Sequence, residues 1–210
     1  MTVKPLVSVI TSTWNRHELL LNRCVPSVQA QAYPKVEHVI VSDAPDPELT
    51  AKMIELASGS AFYHVVHFGQ LPDPHPGTYR YGSAARNAGI EMSLGAYICY
   101  IDDDDSLRPD HVRLLAAALD ANPDAGFAYS LMESHSNSGL STHIGYPQPA
   151  CGQIGTPMIM HRREALEHGT WGPPSTIEDW QLVERWLAAG VGYVHVPEVT
   201  VDVWPSAYWS

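Results

Sequence analysis

The sequence is short of positive charge. Twelve Lys and Arg stand against 23 Asp and Glu in 210 residues, a formal net charge of −11. A surface of that sign repels nucleic-acid backbones, so DNA or RNA binding through phosphate contacts is disfavoured, while a nucleotide held through a metal is not. Cysteine is scarce: Cys24, Cys99 and Cys151 are odd in number, far apart and form no C-x-x-C pair. They read as reduced thiols, two of them in apolar surroundings. The eleven histidines include no H-E-x-x-H or other zinc spacing. No apolar stretch reaches the roughly 18 residues of a membrane span. Met-Thr-Val-Lys-Pro runs into a strand without a signal-peptide pattern, so the expectation is a cytoplasmic protein with no membrane span.

What is present is an ordinary globular composition, 45% apolar and 17% charged, at a length that suits one domain. Apolar, β-branched runs predict strands at Leu6–Thr13, Val36–Asp43, Phe62–Phe68, Ala96–Ile101 and Gly126–Met132. Helical spacing fills the intervals: His17–Ala32, with Pro26 ending or kinking it near Cys24, then Pro47–Ala57, Ser83–Met92 and Pro109–Asp120. Gly69–Gly77, with Pro72, Pro74 and Pro76, reads as loop. Strand and helix alternate, which argues for an α/β fold with a mostly parallel central sheet flanked by helices. Beyond Met132 the pattern changes. Residues 133–153 are polar and loop-like, with a short strand near Thr142–Tyr146. Then come a strand at Ile154–His161, a short helix at Arg163–Glu167, an amphipathic helix at Thr176–Ala189 and a strand at Val191–Val196.

One stretch organises the chain. The apolar run Ala96–Ile101 ends in Asp102-Asp103-Asp104-Asp105. Adjacent anions at the tip of a core strand call for a cation. Hard oxygen ligands suit Mg²⁺ or Mn²⁺, and such sites combine one or two carboxylates with substrate phosphates. In an extended segment alternate residues share a face, so Asp102 and Asp104 pair on one side and Asp103 and Asp105 on the other. The competing reading is a solvated acidic turn before a helix N-terminus.

In an open α/β sheet, ligands bind beyond the carboxyl ends of the strands. Thr11 to Asn15, Asp43 and the aspartate run all occupy such ends. Asp43 suits a base or ribose, or else a turn. Arg86 suits a phosphate, or else a surface cation, and Asn87 a loop or a base. At the start of the last helix, Glu178 or Asp179 suits a general base. Alternatively Ser175-x-x-Glu178 and Thr176-x-x-Asp179 are capping boxes. Trp171, Trp180 and Trp186 read as mostly core, with Trp171 or Trp180 able to stack on a sugar. His195 reads as a core or surface residue rather than a metal ligand.

Taken together, Val9-Ile-Thr-Ser-Thr-Trp-Asn15-Arg16, Val41-Ser-Asp43, Ala85-Arg86-Asn87-Ala-Gly89 with Gly95 to Pro109, and Glu178-Asp179-Trp180 to Gly190 resemble family 2 glycosyltransferases of the GT-A fold. The likeness runs in order over roughly residues 6–197. It implies a single Rossmann-like GT-A domain, with a nucleotide-sugar half at about 1–132 and an acceptor-side half at about 133–210. It implies inverting, metal-dependent transfer from a nucleotide-diphosphate sugar, a UDP-sugar first, to an acceptor hydroxyl. Asp104 and Asp102 would hold Mn²⁺ or Mg²⁺. Thr11, Thr13, Asn15, Arg16, Asp43, Arg86, Asn87, Asp102 and Asp103 would contact the donor, Asp103 being the most expendable acid of the run. Asp179, with Glu178 beside it, would be the base. Ser42-Asp43-Ala44-Pro45 departs from the family's two-acid, glycine-ended turn. The acceptor site is expected to be minimal, completed by the 133–153 loop, or shared in a homo-oligomer. The alternatives are a nucleotidyltransferase acting on a sugar phosphate, disfavoured because Thr11–Arg16 has no glycine, and a non-catalytic nucleotide-sugar-binding protein.

Overall fold

The computed structural model of the protein describes residues 4–58, 64–71, 82–173 and 175–205. The expected proline-rich loop lies, from Pro72 onward, outside the described residues, as do Phe62 and Tyr63. Strands β1 (Val7–Thr13), β2 (Val36–Ser42), β3 (His64–Gln70) and β4 (Tyr97–Tyr100) pair in parallel, in the order β3-β2-β1-β4. β1 and β2 are covered on both faces, which is why they read as unbroken apolar runs. Their side chains alternate between two cores. Val7, Val9, Val36, Ile40 and Cys99 join one core with Leu49 and Met53 of α3 (Pro47–Ser58) and Leu115 of α5 (His111–Ala121). Ile10, Val39, Val41, Ile98 and Tyr100 join the other with Ile90 of α4 (Ser83–Met92) and Trp186 of α6 (Glu178–Ala188).

The segment after β1 continues through Pro26 as α1 (His17–Leu19), a π turn (Leu20–Cys24) and α2 (Val25–Gln29). The proline has no N–H to return and its ring crowds the preceding turn, and the wider π turn ahead of it makes room. The expected kink is thus a widening, and the helical path does not end.

Entry into β4 is fixed by a buried acid. Glu37 Oε1 accepts hydrogen bonds from Ser8 Oγ at 2.6 Å, Leu94 N at 2.5 Å and Gly95 N at 3.1 Å. A Cβ on Gly95 would sit 2.4 Å from Ser8 Oγ and 2.6 Å from Ser8 N, so only glycine allows this approach.

From β8 (Ile159–Arg162) onward the pairing is mixed. β8 lies antiparallel between β4 and β6 (Ala125–His135), and β6 pairs in parallel with β9 (Gly192–Val203). The two-residue β5 (Ser106–Leu107) closes the path, antiparallel to β9. The parallel arrangement inferred from alternation therefore holds for β3-β2-β1-β4.

Several boundaries move for local reasons. The short strand expected near Thr142–Tyr146 is β7 (Ser141–Ile144), and β6 runs on to His135 to pair with it as a hairpin. The strand expected at Ile154 begins at Ile159, because Pro157 opens a 3₁₀ turn, Thr156–Met158. Pro109 precedes α5, and its carbonyl accepts Ala32 N at 2.8 Å. β9 runs past Pro197 to Val203, with the proline in a register shift between Tyr129/His195 and Leu131/Val199.

Candidate active site

The carboxyl ends of β1, β2 and β4 open on a cleft of about 460 Å³, with the first turn of α6 and the end of β9 across it. The aspartate run leaves β4 in a turn closed by Asp105 N to Asp102 O at 3.2 Å. Thr13, at the tip of β1, donates to Asp103 Oδ2 at 2.7 Å. Arg16 reaches the same run, its Nε 3.1 Å from Asp103 Oδ1 and its Nη1 on Asp104 Oδ2. Arg23, from the π turn, donates Nη1 to the Asp104 carbonyl at 2.5 Å.

The run is a turn and not an extended segment, so the expected two-sided split does not form. Only Asp102 is appreciably open, its side chain 31% exposed, while Asp103, Asp104 and Asp105 are buried and Arg16 meets both Asp103 and Asp104. Burial pushes Asp103 up to about 7 against the pull of Arg16. Burial raises Asp104, again opposed by Arg16, and it raises Asp105 with help from the Asp102 and Asp104 charges. Asp103 has two partners in the closed interior, so its expected expendability does not fit its place.

Arg86, on α4, spans the cleft floor. Its Nη2 donates to Asp102 Oδ1 at 2.7 Å, its Nη1 to Glu178 Oε1, and its guanidinium lies 4.7 Å from the Trp171 ring centroid. Ser83 Oγ donates to the other oxygen of Glu178. α4 comes this close because Gly82 adopts φ 84°, and a Cβ there would meet Ser12 Oγ at 2.5 Å. Burial raises both Glu178 and Asp179; Arg86 works against it most strongly at Glu178. α6 begins at Glu178 with Ile177 as its N-cap and no side-chain cap bond, so neither capping box forms. Asp179 lines the cleft and accepts Trp180 N at 2.7 Å.

The structure brings Thr13, Arg16, Asp43, Arg86, Asp102, Asp103, Asp104, Glu178 and Asp179 to one cleft. Three expected residues lie off it. Thr11 is fully buried deeper in β1, hydrogen-bonded to His38 Nε2 at 2.9 Å. Asn15 takes a left-handed conformation, φ 56°, which suits Asn in the turn between β1 and α1, and it borders a separate groove with His17 and Lys52. Asn87 clamps the Trp171 backbone, donating to its carbonyl at 2.9 Å and accepting its N–H at 3.2 Å. Trp171 and Trp186 are core, as expected. His195 packs on Tyr129 at 5.1 Å and does not border the cleft. Val203 and Trp204 do border it. The sequence reading missed them because Pro197 hid the continuation of β9.

Asp102 and Asp104 line the cleft and supply hard oxygen ligands of the kind a divalent cation takes, each also meeting an arginine. Among the described residues Glu133, His135 and Asp202, outside that cleft, place ligand atoms within 4.8 Å of one another. There Arg108 already binds both carboxylates, Glu133 at 2.5 Å and Asp202 at 2.8 Å. Among the described residues no helix is long and apolar enough to cross a membrane.

Comparison with known proteins gives a consistent answer. Residues 8–164 match the family described as glycosyl transferase family 2. The chain is 31% identical over 150 residues to WcaA of Escherichia coli, covering 71% of this chain and 48% of that protein. The chain thus spans about half of that relative's length. Its fold matches S. aureus TarS 1–349 in complex with UDP-GlcNAc, with TM-score 0.72 and 16% identity over 96% of this chain and 59% of that one. It also matches the mannosyltransferase PcManGT of Pyrobaculum calidifontis in complex with GDP-Man and Mn2+, with TM-score 0.71 and 17% identity over 96% and 57%.

Proposed function

The chain belongs to glycosyl transferase family 2, and from that premise we propose that it transfers a sugar, with inversion, from a nucleotide-diphosphate sugar to an acceptor hydroxyl. The observation that carries this reading is that α6 delivers Asp179 to the cleft that holds Asp43 and the aspartate run. Residues to about 132 supply the donor wall and later residues the acceptor side.

Asp43 borders the cleft at the end of β2, where it would meet the base or ribose. Asp102 and Asp104 would hold Mn²⁺ or Mg²⁺, which supplies Lewis-acid neutralisation of the leaving diphosphate. Arg16 and Arg86 sit where their guanidinium groups can meet phosphate oxygens. Both oxygens of Glu178 are engaged by Arg86 and Ser83, which leaves Asp179 as the base. Its carboxylate takes the acceptor's hydroxyl proton. The acceptor oxygen bonds the anomeric carbon in line as the bond to the diphosphate breaks, and the nucleoside diphosphate leaves. Burial raises Asp179 towards the range where a general base works best near neutrality. A UDP-sugar is the donor to test first.

Calorimetric titration of nucleoside diphosphates and their sugars, with and without Mn²⁺, tests the reading. UDP binds more tightly with Mn²⁺, and Asp104→Asn removes about 10–100-fold of that gain. Unchanged Mn²⁺-assisted binding and transfer in Asp104→Asn overturn the assignment. Release of pyrophosphate from a nucleoside triphosphate and a sugar phosphate would turn it to nucleotidyl transfer.

A further inference from the structure

The family match ends at residue 164, yet the end of β9 reaches the cleft and is fastened at two points, one in the aspartate run and one at Arg108 just after it. At the first, Trp204 N donates to Asp105 Oδ1 at 3.2 Å. The Trp204 ring lies 4.4 Å from the guanidinium carbon of Arg23, the residue that holds the Asp104 carbonyl. At the second, Arg108 grips Asp202 with Nε at 3.0 Å and Nη2 at 2.8 Å. It also donates Nη2 to Glu133 at 2.5 Å and its backbone N–H to the Thr200 carbonyl at 2.8 Å. His135 joins the two points. Its Nε2 pairs with Asp202 Oδ1 at 3.0 Å, and its ring stacks on Trp204 at 4.8 Å.

These contacts close a ring. It runs from Asp105 through β5 to Arg108, across to Asp202, up through His135 to Trp204 and back to Asp105. The bidentate fork is the strongest kind of charged hydrogen bond a side chain makes, and lysine cannot reproduce its geometry. Arg108 is not among the residues that line the cleft. Its contacts lead there through Asp202, His135 and Trp204.

We propose that Arg108 is a positioning residue: by fixing Asp202 and His135 it seats Trp204, and Trp204 with Arg23 sets where Asp104 and Asp105 stand, hence how well the run takes a divalent cation and its diphosphate. This rests on the nucleotide-sugar reading of the cleft. Glu133, His135 and Asp202 are then the anchor of a strap, with the guanidinium as their cation.

The test compares wild type with Arg108→Met, Arg108→Lys and His135→Gln. UDP binding is titrated with and without Mn²⁺, and hydrogen exchange is followed over residues 102–108. In Arg108→Met, Mn²⁺-assisted UDP binding weakens about tenfold while metal-free binding changes less than about twofold, and the amides of 105–107 exchange faster. Arg108→Lys recovers part of the affinity, and His135→Gln shifts it in the same direction by less. A folded Arg108→Met protein with unchanged Mn²⁺-assisted binding overturns the proposal. Should that variant not fold, unchanged binding in both Arg108→Lys and His135→Gln does so. A general loss, equal with and without metal, makes Arg108 merely structural and also overturns it. If wild type shows no Mn²⁺ effect on UDP, the reading of the cleft fails and this inference with it; faster exchange in Arg108→Met would then report the strap as structure only.

Discussion

The two walls of the cleft are built in opposite ways. The proposed donor wall comes from the tips of parallel strands, and three of its acids are already matched with cations: Arg16 on Asp103 and Asp104, Arg86 on Asp102. The facing wall comes from a helix start and a strand end. There Glu178 is tied across the floor to Arg86, while Asp179 accepts from backbone N–H groups, chiefly that of Trp180. On the proposed reading, arginines stand where the charged leaving group would lie, and the proton-accepting carboxylate is the one without a guanidinium bound to it, since such a partner would make it a weaker base.

The largest test of that contrast sets the two neighbouring acids against each other. Asp179→Asn is expected to lower transfer about 10²–10⁴-fold, the usual contribution of a general base, with donor affinity retained. Glu178→Gln is expected to weaken donor affinity instead, because it releases Arg86 from one of its two carboxylates. Transfer rates beside donor titrations read both. Equal behaviour of the two variants would erase the distinction between the walls.

The donor wall was also the more legible one. Apolar runs in β1, β2 and β4 each end in the residue that meets the cleft, because a strand buried on both faces has polar groups only at its tip. Period 2 did not carry into the aspartate run, because the chain turns at Asp103 and Asp104 and buries Asp104 along with Asp103 and Asp105. What also failed there was depth: Thr11 shares a face with Thr13 but lies inside the sheet, and no sequence pattern marks where a strand clears the core. The facing wall was harder. Asp179 was found only as one of two acids, because the choice depends on Ser83 and Arg86, far away in the chain. Trp204 was missed because a bulge at Pro197 carries β9 onward where a proline suggests an end.

Next in size is the tie between the walls. Arg86→Met leaves Glu178 without its cation in a nearly closed site and Asp102 without its partner. Breaking a buried pair in this way costs about 3–5 kcal/mol, read as a lower midpoint in urea. A smaller loss would mean that the two walls are held together by packing, not by this ion bridge.

Acid probes the same seam from within the sheet. His111 on α5 pairs with Thr200 of β9 at 2.7 Å, and His161 on β8 accepts Tyr100 Oη of β4 at 2.8 Å. Burial depresses them to about 3 and about 4. A base depressed in the folded state binds fewer protons than the unfolded chain between its two pKa values. The stability it provides is therefore complete above the unfolded value near 6.5 and falls away as pH drops towards the folded one. At pH 5 each imidazole is expected to cost about 2 kcal/mol relative to pH 8. His111→Gln should flatten the urea midpoint against pH over that interval. An unchanged slope would place the acid sensitivity elsewhere.

The smallest expected effects separate support from chemistry within the donor wall. Asp103→Ala removes a carboxyl that accepts the Thr13 hydroxyl and faces Arg16, so it should cost about 1–3 kcal/mol, the penalty of leaving buried donors unmatched. Asp103→Asn should cost less, because a carboxyl pushed up to about 7 is only partly ionised near neutrality and an amide oxygen can still accept from Thr13. Asn87→Ala should cost about 1 kcal/mol through its two bonds to the Trp171 backbone. It should leave UDP affinity unchanged, because Asn87 does not border the cleft. A loss of UDP affinity in Asn87→Ala would mean that Trp171, under the Arg86 guanidinium, transmits its position to the cleft, and the donor wall would then extend one layer deeper than its lining residues.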